Sequence, residues 1–388
     1  MSNDATFLDK AVEISHFVGL SGIGGVQRIF FEYIELEIMN RNEYMHTIYT
    51  AGEVDLQYKS LKKTLNILKF KNFLSLALDV ISRKRVVHFY NNLTSPKVAL
   101  FLLLLPTSKL IVHERGSAWN LPLKYGFILK FISWKADLIL ANSKATKNLL
   151  EKKFGISENK IKVIYNGINT AVNCKKLLKN KTSNDIFLVG FIGRLDTPKG
   201  VHILIDAMQH LKSRNIKLII AGNGPLEKEL KRQATGLINI EFLGRIDNPY
   251  KFFGSIDLLV VPSIREPFGN ICIEAGLCKV PVLAAYVDGI SEIIENNISG
   301  ELIKPTHPVL HSSVNNSLPL PEYVVDPVNF KLIKPMQIDS FELADKILLL
   351  SNSPKILSKY ANALHRNVIN NFSIEHYAVK LNNIYTAL

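Results

Sequence analysis

Cysteine is scarce in this chain of 388 residues, which holds three, Cys174, Cys272 and Cys278, with no CxxC pair and no clustered histidines beside them. Such spacing offers neither a zinc site nor a disulfide framework, so buried reduced thiols are the expectation. No Asp-x-Asp occurs anywhere, which removes the simplest carboxylate pair for holding magnesium. Long hydrophobic runs are missing too. The longest, Val98 to Leu105, falls far short of the roughly 20 residues that span a bilayer. The start, Met1 to Lys10, is polar and acidic and carries no secretory signal, so the chain is expected to stay in the cytosol.

Negative charge is thin in the first half. Residues 1–175 hold 24 Lys+Arg against 14 Asp+Glu, a net of +10 out of +13 for the chain, and residues 59–135 hold 14 against 2. That half is expected to face something anionic. The segments Lys59 to Lys71 and Lys124 to Lys135 mix lysines with apolar residues at helix-like spacing (Phe127, Ile128, Phe131, Ile132), as helices lying on anionic lipid do. A solvated helix with one core face fits the same pattern. Nucleic acid is the other anionic candidate, but no zinc-finger, RNP or KH pattern accompanies the charge.

What is present is a regular alternation. With 47% hydrophobic residues and a mean hydropathy of +0.12, the chain can fill two domain cores. Apolar strand-like runs (Val12–Val18, Val86–Tyr90, Lys109–Val112, Leu138–Ala141, Lys162–Tyr165, Phe187–Ile192, Lys217–Ala221, Ile240–Leu243, Leu258–Val261, Val280–Ala284) alternate with amphipathic segments. This is the pattern of parallel sheets crossed by helices, and two sheets fit better than one. The seam is expected in the polar stretch Val172 to Asp185, giving domains 1–175 and 176–372 and a final helix over 373–388. Ligands of such sheets sit beyond the carboxyl ends of the strands, so two sheets with those ends facing would enclose an interdomain cleft. One segment, 306–339, carries Pro308, Pro319, Pro321, Pro327 and Pro335 between the echoes Leu302–Pro305 and Leu332–Pro335. It reads as an inserted loop beside the last strand, as a lid, a subunit contact or plain surface.

Glu266 and Glu274 carry the densest chemical signal, with the strand Leu258–Val261 before them and a helix beginning near Asn270. One carboxylate then precedes a helix N-terminus and the other lies about one turn inside it. The backbone N–H groups of Gly269, Asn270 and Ile271, lacking intrahelical partners, can face an anion between two hydroxyl-binding carboxylates. A sugar joined through a diphosphate to a nucleoside has that layout. Arg194 and Lys199 follow the strand Phe187–Ile192 at the start of a helix over Val201–Leu211; a guanidinium and an ammonium there can stabilise a diphosphate without a metal. Gly24, Gly25 and Val26 follow the first strand, where glycine lets backbone approach a phosphate or an acceptor, although the dinucleotide spacing fails. His113 ends the strand Lys109–Val112, which places an imidazole at a cleft edge.

With these residues in hand, the chain resembles the retaining glycosyltransferases of family four, which have the two-domain GT-B fold. The likeness covers most of the chain: Gly24-Gly25-Val26, Ala136-Asp137, Asn142-Ser143, Asn166-Gly167-Ile168-Asn169, Gly193-Arg194-Leu195 with Lys199-Gly200, Ala221 to Pro225, Phe242-Leu243-Gly244, the paired glutamates, and Asp288 to Glu292 with Gly300. The resemblance implies that Glu266 holds hydroxyls of the transferred sugar, Glu274 the ribose, and Arg194 and Lys199 the diphosphate. Gly193, Phe268 and the N–H groups of Gly269 to Ile271 would complete the donor site, Gly244, Arg245 and Ile246 would line the base pocket, and His113 would lie near the reacting sugar. It implies no cofactor and no metal. The acceptor would be a lipid-linked or anionic glycan of lipopolysaccharide, O-antigen or capsule, reached at the inner face of the cytoplasmic membrane. Two departures stand out: Asp288 where the family usually has glycine, and the insertion after Pro305. A same-fold nucleotide-sugar epimerase and a basic nucleic-acid-binding protein are the rival readings.

Overall fold

A computed structural model describes residues 12–22, 24–39, 44–61, 64–172, 174, 186–212, 214–309 and 317–388. The polar start Met1–Lys10, most of the stretch Val172–Asp185 and the run His311–Asn316 lie outside the described residues. The chain divides into two compact units, Met1–Asn169 with Ser373–Leu388, and Thr170–Phe372.

The first unit is built on a seven-stranded parallel sheet. In chain order it comprises β1 (Glu13–Phe17), α1 (Gly25–Met39), β2 (Met45–Thr50), β3 (Thr64–Asn66), α2 (Phe70–Ile81), β4 (Arg85–Tyr90), α3 (Pro96–Leu103), β5 (Leu110–Glu114), α4 (Gly126–Lys135), β6 (Leu138–Ala141), α5 (Lys144–Phe154) and β7 (Ile161–Val163). The strand order is β3-β2-β1-β4-β5-β6-β7. All five residues of β5 are buried, as expected where both faces of a parallel sheet are covered. Ile29, Phe30, Tyr33 and Ile34 of α1 fill one face together with Tyr377, Leu381 and Ile384 from the far end of the chain.

The second unit has a six-stranded parallel sheet of order β10-β9-β8-β11-β12-β13. Its elements are β8 (Phe187–Ile192), α6 (Val201–His210), β9 (Ile216–Ala221), α7 (Glu227–Gln233), β10 (Ile240–Gly244), α8 (Pro249–Ser255), β11 (Leu258–Val261), α9 (Asn270–Leu277), β12 (Val282–Ala285) and β13 (Glu301–Ile303). Four two-residue strands follow, β14 (His307–Pro308), β15 (Val324–Val325), β16 (Leu332–Ile333) and β17 (Met336–Gln337). The helices α10 (Ser340–Ser351) and α11 (Pro354–Asn371) then pack on α6 and α9, and α12 (Ile374–Thr386) returns to the first unit against α1.

Three sequence expectations are corrected. Lys59–Lys71 is not a lysine-rich helix: Thr64–Asn66 extends as β3 beside β2, and helix begins only at Phe70. The insertion is not plain surface, because β14 pairs with β17, β15 with β16, and Val324 and Val325 are buried. Cys174 and Cys278 are joined as a disulfide with a Cα–Cα separation of 5.1 Å, which leaves Cys272 as the buried thiol. The partners are 104 residues apart, so their pairing depends on the fold rather than on any local spacing.

Candidate functional site

The loop after β8 reaches its site through a close approach of two backbones. Gly200 has φ +65°, and a Cβ there would fall on the carbonyl oxygen of Pro262. Ile264 N–H donates to the Pro198 carbonyl at 2.9 Å. The start of α6 is thereby clamped against the loop after β11, and Lys199 Nζ donates to Glu266 Oε2 at 2.6 Å. Ser263 Oγ donates to the same oxygen at 3.2 Å. Glu266 is itself buried, so two donors offset the loss of water around its charge. Arg194 lies on the same loop with its side chain 57% exposed, and its Nε stands 2.9 Å from Asp196 Oδ2. An exposed guanidinium fixed at Nε can still present its outer nitrogens as a fork to a phosphate.

The loop after β11 turns into α9 at Gly269, which caps the helix with φ +108°, a conformation that glycine adopts without a Cβ penalty. Asn270 and Ile271, half-buried, form the first turn, and Glu274 is buried one turn further on. The first turn of such a helix directs backbone N–H groups outward, and the helix dipole favours an anion beside them. Phe268 is buried against Phe372, ring centroids 5.9 Å apart, which fixes the turn from below. The structure therefore brings Arg194, Lys199, Glu266, Gly269, Asn270, Ile271 and Glu274 onto two consecutive strand-to-helix junctions of one sheet, as β8 and β11 are neighbours. Gly193 opens the first junction and donates its N–H to Ala221 at 3.0 Å. Gly244, with φ +69°, ends β10 and accepts from Gly222 N–H at 2.7 Å, with Arg245 exposed and Ile246 half-buried after it.

The remaining candidates belong to the first unit. Gly24, Gly25 and Val26 form the turn into α1, with Arg28 N–H donating to the Gly24 carbonyl at 3.0 Å. His113, which the sequence places at a cleft edge, is fully buried at the end of β5. Its ring stacks on His88 with centroids 5.5 Å apart and 8° between planes. Burial, then the Arg115 guanidinium and His88, hold its pKa well below the ordinary imidazole value, so the ring is neutral. Neither ring nitrogen has a hydrogen-bond partner among the described residues.

Sequence reasoning passed over Asp196 and Ser263 and read Asp288 only as a departure from pattern. Asp196 orients Arg194, and its side chain caps the turn Thr197–Lys199 by accepting from Thr197 N–H at 3.0 Å. The signal for it was present, since Asp-Thr-Pro is a common way to start a helical turn. Asp288 Oδ2 accepts from the backbone N–H of Glu266 at 2.9 Å. No local pattern announces that contact, which spans 22 residues.

Residues 174–318 match the family model for glycosyl transferases group 1, and residues 66–172 match that for glycosyltransferase family 4. The chain is 33% and 35% identical to two uncharacterized glycosyltransferases of Methanocaldococcus jannaschii over 45% and 48% of its length, and spans about half the length of each (49% and 50%). It is 30% identical, over 64% of this chain and 66% of the relative, to the N-acetylgalactosamine-N,N'-diacetylbacillosaminyl-diphospho-undecaprenol 4-alpha-N-acetylgalactosaminyltransferase of Campylobacter jejuni. Among solved structures, Anabaena HepE in complex with UDP-glucose superposes with a TM-score of 0.70 at 21% identity, over 97% of this chain and all of that one. Two Rossmann-like parallel sheets, the two family models and these relatives agree: the chain belongs to the group 1, family-four glycosyltransferases and has their GT-B fold.

Proposed function

We propose that the chain moves a sugar from a UDP- or GDP-sugar to a hydroxyl of a lipid-linked or anionic glycan acceptor, with retention at the anomeric carbon, in the assembly of lipopolysaccharide, O-antigen or capsule. The observation that carries this reading is the Lys199–Glu266 contact of 2.6 Å, which sets an ammonium and a buried carboxylate side by side before the start of α9. In this reading Arg194, Lys199 and the N–H groups of Gly269 to Ile271 take up the charge that develops on the departing diphosphate. Glu266 orients hydroxyls of the sugar and Glu274 those of the ribose. The acceptor oxygen bonds to the anomeric carbon on the face from which the diphosphate leaves, and the acceptor proton passes to a phosphate oxygen. Rate then comes from orientation and from charge stabilisation already in place. Two side-chain cations supply what a metal would otherwise supply, so metal independence is part of the proposal.

The acceptor class draws on the Campylobacter relative, whose name places its substrate on a diphospho-undecaprenol lipid. It draws also on the surface of the first unit. Phe70, Phe73, Leu74 and Leu78 of α2, Leu100 and Leu103 of α3, and Phe127 and Trp134 of α4 are exposed large apolar residues. Lys69, Lys71, Lys97, Lys124 and Lys130 lie exposed among them in sequence. Phe73 of α2 meets Phe101 of α3 at 5.2 Å, so these helices are neighbours. Apolar side chains with interspersed lysines suit the headgroup region of an anionic membrane, and no helix among the described residues is long and apolar enough to cross one. The test is a thermal-shift screen with UDP-, GDP- and ADP-sugars, followed by product analysis with a polyprenyl-diphosphate glycan. Stabilisation by one nucleotide sugar with transfer and retained anomeric configuration is expected. No stabilisation by any of them, or donor consumed without a glycosylated product, would overturn the reading.

A further inference from the structure

The proline-rich insertion is tied to the elements of the candidate donor site at three places, two of them through a buried carboxylate that faces both ways. At the first, Ser317 Oγ and Leu318 N–H donate to Asp196 Oδ1 at 2.6 and 2.7 Å. The other oxygen of Asp196 stands 2.9 Å from Arg194 Nε. At the second, Val325 N–H donates to Asp288 Oδ1 at 2.7 Å, and Glu266 N–H donates to Asp288 Oδ2 at 2.9 Å. Asp196 and Asp288 are 1% and 2% exposed, so water cannot substitute for these donors. A third tie joins Gln337 Oε1 to His202 Nε2 at 3.2 Å, on the first turn of the helix that follows Lys199.

Asp288 holds this place against its own backbone preference. Its φ is +46°, in the left-handed region that suits glycine best and that a residue with a Cβ enters less often. A carboxylate retained there has two backbone N–H groups to satisfy, one from the insertion and one from the glutamate loop. The insertion end is anchored in turn, since Val324 and Val325 are buried and pair with β16.

We propose that residues 317–337 form a strut that positions the donor site, with Asp196 and Asp288 as the positioning residues that transmit its placement to Arg194 and Glu266. The proposal rests on the donor-site reading given above. Neither aspartate needs to touch substrate: each fixes the backbone or guanidinium of a residue that does. Asp288 also carries a pH signature. Burial raises its pKa to about 7, opposed by the N–H groups of Val325 and Glu266 and by Arg265, and reinforced by the Glu266 charge. The ionised carboxylate accepts from both N–H groups, whereas the protonated acid turns one acceptor into a donor.

The test compares Asp288→Gly, Asp288→Asn and Ser317→Ala with the unaltered full chain. Hydrogen exchange is followed over 262–268 and 323–327, together with release of UDP from UDP-glucose and affinity for UDP. Asp288→Gly should speed exchange in both peptides and lower kcat for UDP release about ten- to hundredfold, as misplacement by an ångström does, with UDP affinity little changed. Asp288→Asn, which keeps one acceptor, should recover part of the loss and abolish an inflection near pH 7 in the wild-type rate. Ser317→Ala leaves the Asp288 tie intact and should mainly weaken UDP affinity through Arg194; it serves as the second test if Asp288→Gly fails to fold. Unchanged exchange over 262–268 in folded Asp288→Gly overturns the strut, as does faster exchange with wild-type kcat. Normal turnover in Glu266→Ala would instead overturn the donor-site reading and the strut's purpose with it. An inactive Glu266→Ala beside a fully active Asp288→Gly overturns the strut alone.

Discussion

Lys199 and Glu266 share a hydrogen bond of 2.6 Å across 67 residues of sequence, and each comes from the end of a different strand of the same sheet. The contact joins two strand-to-helix junctions, and under the proposed function an arriving diphosphate would compete with Glu266 for the Lys199 ammonium.

Lys199→Ala and Arg194→Ala should each lower kcat by roughly 10²–10³ in folded protein, the usual scale for removing a donor to developing charge. Glu266→Ala should reduce transfer more than nucleotide affinity, because its proposed partner is the sugar. Steady-state kinetics beside calorimetric UDP binding separates the two, and near-normal turnover in Lys199→Ala would remove it from the diphosphate clamp.

Much of this arrangement is legible in the sequence because parallel strands announce themselves as unbroken apolar runs. Phe187–Ile192, Leu138–Ala141 and Leu258–Val261 match their strands to the residue. Met45–Thr50 escapes that reading, since His46, Thr47 and Thr50 interrupt the apolar pattern and the strand is held by pairing with β1 on one side and β3 on the other. The carriers of charge in the candidate site, Arg194, Lys199, Glu266 and Glu274, are visible as residue types at strand ends. Their supports are not. Asp288 and Ser317 act on residues 22 and 121 positions away, and no local spacing encodes such contacts.

The first unit contains three buried histidines, His16, His88 and His113, and the half-buried His46, whose titration should set its acid limit. His16 Nε2 and His46 Nδ1 stand 2.9 Å apart, and His88 Nδ1 lies 2.6 Å from the Tyr385 hydroxyl. Burial lowers His16, His88 and His113 well below the ordinary imidazole value and lowers His46 to about 4. An unfolded chain binds these protons near pH 6.5 while the folded one does not, so stability is present above pH 6.5 and lost as pH falls. His46 alone accounts for roughly 3 kcal/mol by the time pH reaches 4. The melting temperature should therefore fall steeply from pH 6.5 to 5, and His46→Gln should flatten the slope. A melting temperature constant from pH 7.5 to 5 would refute this assignment.

Membrane binding should depend on exposed lysines and on apolar side chains together. Lys135 is a poor choice for charge reversal, because its Nζ already donates to the Leu105 carbonyl at 2.8 Å and reversal would disturb the fold. Lys97→Glu, Lys124→Glu and Lys130→Glu avoid that, and each lysine near an anionic surface contributes about 1 kcal/mol. The triple variant should lose most sedimentation with phosphatidylglycerol vesicles. Leu104→Ser with Trp134→Ser should weaken binding to the same vesicles at unchanged charge. Equal sedimentation of all three proteins would exclude this face as the docking surface.

Gly200 offers a test of the clamp that touches no charged group. At φ +65° an alanine carries the left-handed penalty, about 1–2 kcal/mol, and its Cβ would also collide with the Pro262 carbonyl. Gly236 has φ +83° with nothing within 4 Å of the place an alanine methyl would take, so Gly236→Ala reports the backbone penalty alone. Gly200→Ala should therefore lower the melting temperature more than Gly236→Ala does. It should also lower kcat towards the level of Lys199→Ala, because relieving the collision separates the start of α6 from the loop that holds Glu266. Equal melting temperatures in the two variants would mean that the loop yields freely, and wild-type kcat in Gly200→Ala would show that the Lys199–Glu266 contact does not depend on this close approach.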